Sequence, residues 1–127
     1  MTLTMLKCKI HRAVVTGARL DYEGSIALCP ELIAAAGLRA FERVEIYDVN
    51  NGARLATYVI VGEPGEVCLN GAAARLVQPG DLVIIAAYCT VDEREADAHR
   101  PRVVLVDAGN RPRPVAPLPG GGADGRS

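Results

Sequence analysis

The chain has 127 residues, half of them apolar and 23% charged, which suits one globular domain and excludes both two folded domains and a disordered polyelectrolyte. Fourteen Lys+Arg against fifteen Asp+Glu leave a net charge of -1 with no basic cluster longer than two residues, so a nucleic-acid partner has no electrostatic footprint. With no Trp, one Phe and four Tyr, the core is expected from Val, Ile, Leu and Ala. So small a domain has little depth for a pocket, so an enzyme site is expected between subunits.

In chain order, Met5–Val15 reads as a strand with Lys7, Lys9 and His11 on one face and Cys8 and Ile10 on the other. Leu20–Cys29 continues extended across Gly24, and Pro30–Ala36 forms a short helix with proline in its first turn and Gly37 as its stop. Arg43–Val49 and Arg54–Val61 alternate with period 2 around Asn51-Gly52, a hairpin signal. Gly62–Gly65 turns the chain, Val67–Leu69 is a short strand, Asn70–Leu76 starts a helical turn, and Gln78–Asp81 turns again.

Leu82–Val91 is nearly all apolar and is expected to be a strand buried on both faces; Arg102–Val106 is another strand, and Asp92–Asp97 between them a charged, solvated helical turn. From Gly109 onward, Pro and Gly fill nine of nineteen positions, so a domain over 1–108 with a disordered tail over 109–127 is expected. Six or seven short strands and two small helices predict a mainly β fold, a closed or nearly closed small barrel.

The four cysteines, Cys8, Cys29, Cys68 and Cys89, lack C-x-x-C spacing and read as buried thiols. His11 and His99 lie far apart, so no metal site is expected. No apolar run reaches the roughly 18 residues of a membrane span. Lys7, Lys9, His11 and Arg12 interrupt any signal-peptide core, so a cytoplasmic protein without membrane or nucleic-acid partners is expected.

Standard catalytic motifs (G-x-S-x-G, a Walker loop, H-E-x-x-H, G-x-G-x-x-G) are absent. What remains is a set of polar residues where apolar ones would pack better: Lys9, His11, Tyr22, Ser25, Arg54, Thr57, Tyr58 and Asn70. Each alone reads most simply as part of an exposed strand face. Together they supply cations, phenols, hydroxyls and an amide without a carboxylate, a combination suited to a small dianionic ligand. Period 2 puts Arg54, Ala56 and Tyr58 on one strand face and Thr57 on the other, so Thr57 and Tyr58 are expected to share a site only near a bulge or between subunits.

Lys9-x-His11-Arg12, Tyr22-x-Gly24-Ser25, Asn51-Gly52-x-Arg54-x-x-Thr57-Tyr58, Asn70-Gly71-Ala72-Ala73-Ala74 and Pro79-Gly80-Asp81 occur in the order and spacing of one family. Over Met5–Val106 the chain resembles the aspartate α-decarboxylases, pyruvoyl-dependent enzymes that make β-alanine for pantothenate synthesis. The resemblance implies a double-psi β-barrel, a homotetramer with sites shared between subunits, and L-aspartate as substrate. It implies a proenzyme that cuts itself between Gly24 and Ser25 into chains 1–24 and 25–127, turning Ser25 into a covalent pyruvoyl group that forms a Schiff base with the substrate; no metal is involved.

By the same resemblance, Thr57 and Asn70 hydrogen-bond the oxyanion of self-cleavage and Tyr58 is the proton donor. Lys9 and Arg54 bind the substrate carboxylates, with Thr57 and the small-residue wall of Gly71, Ala72 and Ala73 also contacting substrate, and His11 and Tyr22 support the pocket. Gly24, lacking a side chain, can adopt a strained backbone that exposes its carbonyl to attack. Two other readings stay open: a non-enzymatic small-barrel binding or assembly module, and a pyruvoyl decarboxylase of another acidic amino acid.

Overall fold

A computed structural model describes residues 1–113. The fold is mainly β, a small barrel built on one mixed sheet. Its strands are β1 (Thr2–Val14), β2 (Gly17–Arg19), β3 (Ser25–Leu28), β4 (Arg43–Asp48), β5 (Arg54–Val61), β6 (Val67–Asn70), β7 (Leu82–Asp92), β8 (Arg102–Val106) and β9 (Pro112–Arg113), with one α-helix, α1 (Pro30–Ala36). The strand order is β2-β6-β3-β5-β4-β7-β1-β8-β9. Two 3-10 turns, Gly71–Arg75 and Glu93–Ala98, complete it. Among the described residues no helix is long and apolar enough to cross a membrane.

Closure depends on the chain crossing from β1 to β2. Val15 N donates to Asp81 O (2.8 Å) and Thr16 N to Val67 O (2.8 Å), carrying the chain from β1 across to β2, which pairs with β6 at the opposite end of the order. The enclosed core is aliphatic: Ile10, Val15, Ile26, Leu28, Leu32, Val44, Ile46, Val59, Val67, Leu69, Val83 and Ile85 are all buried. Cys8, Cys29 and Cys68 pack as buried thiols; Cys89 is only partly covered.

The elements with local signals form where expected. Helix α1 starts at Pro30 and stops at Gly37, whose left-handed φ of 71° is open to glycine without a Cβ penalty. The hairpin turns at Asn51-Gly52, with Gly52 at φ 78°.

Three expectations change. Leu20–Cys29 is not one extended run: residues 20–24 turn, and β3 begins at Ser25, because β2 must leave β6 before the chain returns on its other side. Strand β7 is buried only in its first half; Tyr88 is 44% exposed, since beyond it β7 pairs with β1 alone as a ribbon outside the core. The barrel also does not end at residue 108. Asn110 is 1% exposed: its Oδ1 accepts from Val14 N (2.7 Å), while Nδ2 donates to Val14 O (2.8 Å) and Gly65 O (3.0 Å). It ties the end of β1 to the β5–β6 turn, and β9 then pairs with β8. The rest of the expected tail, 114–127, lies outside the described residues.

The hairpin tip is strapped to the loop after the Gly71–Arg75 turn. Asn51 Nδ2 donates to Leu76 O (2.9 Å) and Leu82 N to Asn50 Oδ1 (2.7 Å). Beneath, Asp48 is 3% exposed; its Oδ1 accepts from the amides of Asn50 (2.8 Å) and Asn51 (3.1 Å). Its Oδ2 is buried without a donor, facing Asp81. Burial first, then the Asp81 carboxyl, hold the Asp48 carboxyl above its ordinary range, against the opposing pull of the two amides. A raised folded-state value means that the unfolded chain releases this proton first, so stability falls as pH climbs through and above the ordinary carboxylate range. Asp48→Asn keeps the Oδ1 acceptor and gives Asp81 a donor; its melting midpoint is expected a few degrees above wild type at pH 7, with the gap closing near pH 3. Thermal melts across that range check this, and a pH-independent difference refutes it.

Candidate active site

The parallel register of β3 on β5 pairs Ile26 with Val59, so the chain just before β3 enters level with Thr57 and Tyr58. Because β3 starts only at Ser25, residues 54–58 of β5 pair with β4 on one side and, among the described residues, have no strand on the other. A cleft of about 380 Å³ opens at this free edge, lined by Gly24, Leu55, Ala56, Thr57, Tyr58, Ala72, Ala73 and Leu76. Thr57 and Tyr58 therefore meet in one cleft of one subunit without a bulge: at an open strand edge, residues from both faces reach the same space.

Ser25 lies at the inner end of this segment, 1% exposed. Its Oγ donates to Glu23 O (3.1 Å) and accepts from Asn70 Nδ2 (3.0 Å). The antiparallel pairing of Ser25 with Asn70 in β3 and β6 sets that contact, and Asn70 is itself 2% exposed. The asparagine carboxamide is a neutral donor, which can stabilise an oxyanion without first being drawn into an ion pair.

The glycine whose backbone needs the left-handed region is Gly71, not Gly24. Gly24 lies outside the left-handed region, and a Cβ on it would meet nothing within 4 Å. Gly71 has φ 68°, and a Cβ there would fall 2.7 Å from Gly24 Cα and N and 3.0 Å from Tyr22 O. Gly71 must be bare so that residues 22–24 can lie against the 3-10 wall.

The remaining candidates are not gathered in this cleft. Tyr22, 56% exposed, lines a second opening of about 320 Å³ with Arg19, Glu63, Glu66 and Asn70 among its walls. Two carboxylates make that opening a poor host for a dianion, whereas the first cleft has none. Arg54 stacks its guanidinium 4.0 Å from the centre of the Tyr47 ring. The Tyr47 hydroxyl shares a hydrogen bond with that of Tyr88 (2.9 Å), and burial first, then that partner, push the Tyr47 phenol up to about 12.

Lys9 and His11 stand on β1, two strands beyond β4. The register Lys9–Ala86–Glu45–Ala56 puts Lys9 on the same sheet face as Ala56 and hence as Arg54. Glu45 on that face is paired with Arg43 (3.1 Å). Partial burial lowers the Lys9 ammonium. Partial burial, then the charges of Lys9 and Arg12, lower His11, whose Nδ1 is buried with no hydrogen-bond partner. One subunit thus presents its cations on an outer face and its serine cleft at an edge.

Leu55, Ala56 and Leu76 are cleft residues that carry no signal in the sequence, because small and aliphatic side chains read as core wherever they stand. Among the described residues, no group of three or more His, Cys, Asp or Glu could hold a metal ion.

The small β-barrel thus holds a buried serine–asparagine pair at an open strand edge, beside a cleft whose lining has no carboxylate and so suits a compact anion. Residues 1–113 match the model of the aspartate decarboxylase family. The chain is 60% identical over 111 residues to an aspartate 1-decarboxylase of Bdellovibrio bacteriovorus, covering 87% of this chain and 90% of that protein. It is 57% identical over 106 residues to one from a Hydrogenobaculum species (84% and 85% covered) and 55% identical over 113 residues to one from Stenotrophomonas maltophilia (87% and 90% covered). The chain belongs to the aspartate decarboxylase family.

Alanine at the two glycines separates their roles. Gly71→Ala is expected to cost about 2 kcal/mol or more, from the left-handed conformation together with the clash. Gly24→Ala should stay within about 0.5 kcal/mol of wild type, as for a surface substitution. Urea unfolding of both variants, each with Ser25→Ala to keep the chain whole, measures this; equal losses contradict it.

Proposed function

We propose that this protein decarboxylates L-aspartate to β-alanine and carbon dioxide, after cutting its own chain between Gly24 and Ser25. The observation that carries the reading is the buried Ser25 hydroxyl held by the Asn70 amide at 3.0 Å, one residue from a glycine that lines the cleft. Membership of the aspartate decarboxylase family supplies the reaction.

In the cut, the Ser25 hydroxyl adds to the Gly24 carbonyl, and the peptide C–N bond is exchanged for an ester C–O bond. β-Elimination expels Gly24 as a carboxylate, and hydrolysis of the resulting dehydroalanine releases ammonia and leaves a pyruvoyl ketone at position 25. The Asn70 amide and the Thr57 hydroxyl are neutral donors for the oxyanion of the first step. The residues present suit such a group: the Ser25 site is buried, the neighbouring donor is uncharged, and the cleft has room for a small amino acid. When formed, the ketone supplies an electron sink for the carbanion left as the α-carboxylate departs.

The chain's own side chains do the rest. Tyr58 lines the cleft and carries a phenolic proton for the α-carbon, replaced afterwards from solvent. Lys9 and Arg54 neutralise the two substrate carboxylates, Arg as a planar fork and Lys as a compact charge. Because the cations stand on an outer face and the serine at an edge, the outer face of one subunit would close the cleft of the next, with Thr57 and the Gly71–Ala73 wall contacting substrate and His11 and Tyr22 supporting it. A homotetramer working in the cytoplasm, needing no metal, completes the reading.

An intact-mass spectrum of purified protein is expected to show chains 1–24 and 25–127, the second with a ketone in place of its amine, while Ser25→Ala stays whole. An uncut wild type that releases no carbon dioxide from aspartate sinks the reading. Tyr58→Phe should still cleave but lose about 10²-fold or more in turnover, as expected for removal of a general acid; unchanged turnover refutes its role. Co-expressing Lys9→Ala with Tyr58→Phe should restore activity that neither variant has alone if cleft and cation face come from different subunits, and no recovery argues against shared sites.

A further inference from the structure

The carboxamide of Asn70 has nearly the same shape either way round, so its neighbours decide which end faces Ser25. The Ser25 hydroxyl hydrogen is committed to Glu23 O at 3.1 Å, so Oγ can only accept from Asn70 and needs the amide's NH2 end. The other end of the amide is read by a group that the proposed chemistry has not used: Cys68 Sγ donates to Asn70 Oδ1 at 3.4 Å. A flipped amide would leave the S–H without its oxygen acceptor and would draw the Ser25 hydrogen away from Glu23 O.

Cys68 and Asn70 lie two apart in β6, on the same face of the strand, which aims both side chains at the same space. The thiol is held there: Cys68 is 2% exposed, and its Sγ lies 3.3 Å from where a Cβ on Gly17 would sit, so a bare residue in β2 makes the room. Burial first, then Glu66, push the thiol above its ordinary value, so at neutral pH it keeps the hydrogen it donates. Another acceptor, Leu69 O, lies farther off at 4.0 Å.

We propose that Cys68 is a positioning residue for self-cleavage: its thiol fixes the Asn70 amide with NH2 toward Ser25 Oγ, and so sets how fast the Gly24–Ser25 bond is cut. This rests on the self-cleavage proposed above and is tested separately from it. Freshly purified full-length precursors are incubated at one temperature, and the uncut fraction is followed by intact mass, a readout that does not depend on decarboxylation.

Cys68→Ser keeps a hydroxyl donor and is expected to cleave within about threefold of wild type, whereas Cys68→Ala, which removes the donor, is expected to slow cleavage at least fivefold. In an Asn70→Ala background, Cys68→Ala should add no further slowing, since there is no amide left to orient. Melting of Cys68→Ala combined with Ser25→Ala checks that the barrel still folds. Cleavage of Cys68→Ala at the wild-type rate, or equal slowing by Cys68→Ala with and without Asn70, overturns the role of Cys68 while leaving self-cleavage standing; an uncut wild type overturns both.

Discussion

Among the described residues the sheet of nine strands has its two ends joined by one crossing of the chain. Val15 and Thr16 leave β1 deep in one end of the strand order and deliver the chain to β2 at the other, held by their amides on Asp81 and Val67. Everything that positions the site follows from that crossing. It brings β2 beside β6, which places β6 between β2 and β3 and pairs Ser25 with Asn70. It also forces residues 20–24 to turn back, so β3 starts late and leaves β5 with an open edge from Arg54 to Tyr58. Asn110 secures the same corner from the far end of the described chain.

The chemistry divides between neutral and charged groups. Around Ser25 and the cleft stand an amide, a hydroxyl, a phenol and small residues, none of which drives up the cost of developing negative charge. The cations stand outside that cleft, where Arg54 lies over Tyr47 and Lys9 is partly stripped of water. A cation buried beside Ser25 would need a counter-charge, and a carboxylate in that position would repel the dianion that the cleft is suited to receive.

How far the sequence can be read depends on how local each signal is. Helix α1 and the Asn51-Gly52 hairpin were legible because proline, glycine and period-2 alternation act within a few residues. The part played by Asn110 was not: a Pro- and Gly-rich composition outweighs one amide whose three partners lie at Val14 and Gly65. At the site, the polar positions Ser25, Thr57, Tyr58 and Asn70 stood out against their apolar strands, and the fold brings them to one edge. Strand alternation alone misjudged Thr57 and Tyr58, because it describes a strand inside a sheet, not one whose neighbour ends early. The glycine that the fold requires is not the one at the proposed scissile bond but Gly71, whose bareness is dictated by a segment almost fifty residues away in sequence. Cys68 looked like a small core residue and is one, yet its sulfur also faces an acceptor two positions on.

The open turn at residues 20–24 has a consequence for the energetics of the whole subunit. On its N-terminal side, β1 pairs with β7 and β8 and β2 pairs with β6; on its other side, β3 is fixed by β5 and β6. A break between Gly24 and Ser25 severs no strand pairing, so the native state loses little. The denatured state changes far more, because two fragments gain translational freedom that one chain lacks. Refolding then becomes a bimolecular encounter, and the stability of the cut subunit depends on protein concentration even before any association between subunits is counted.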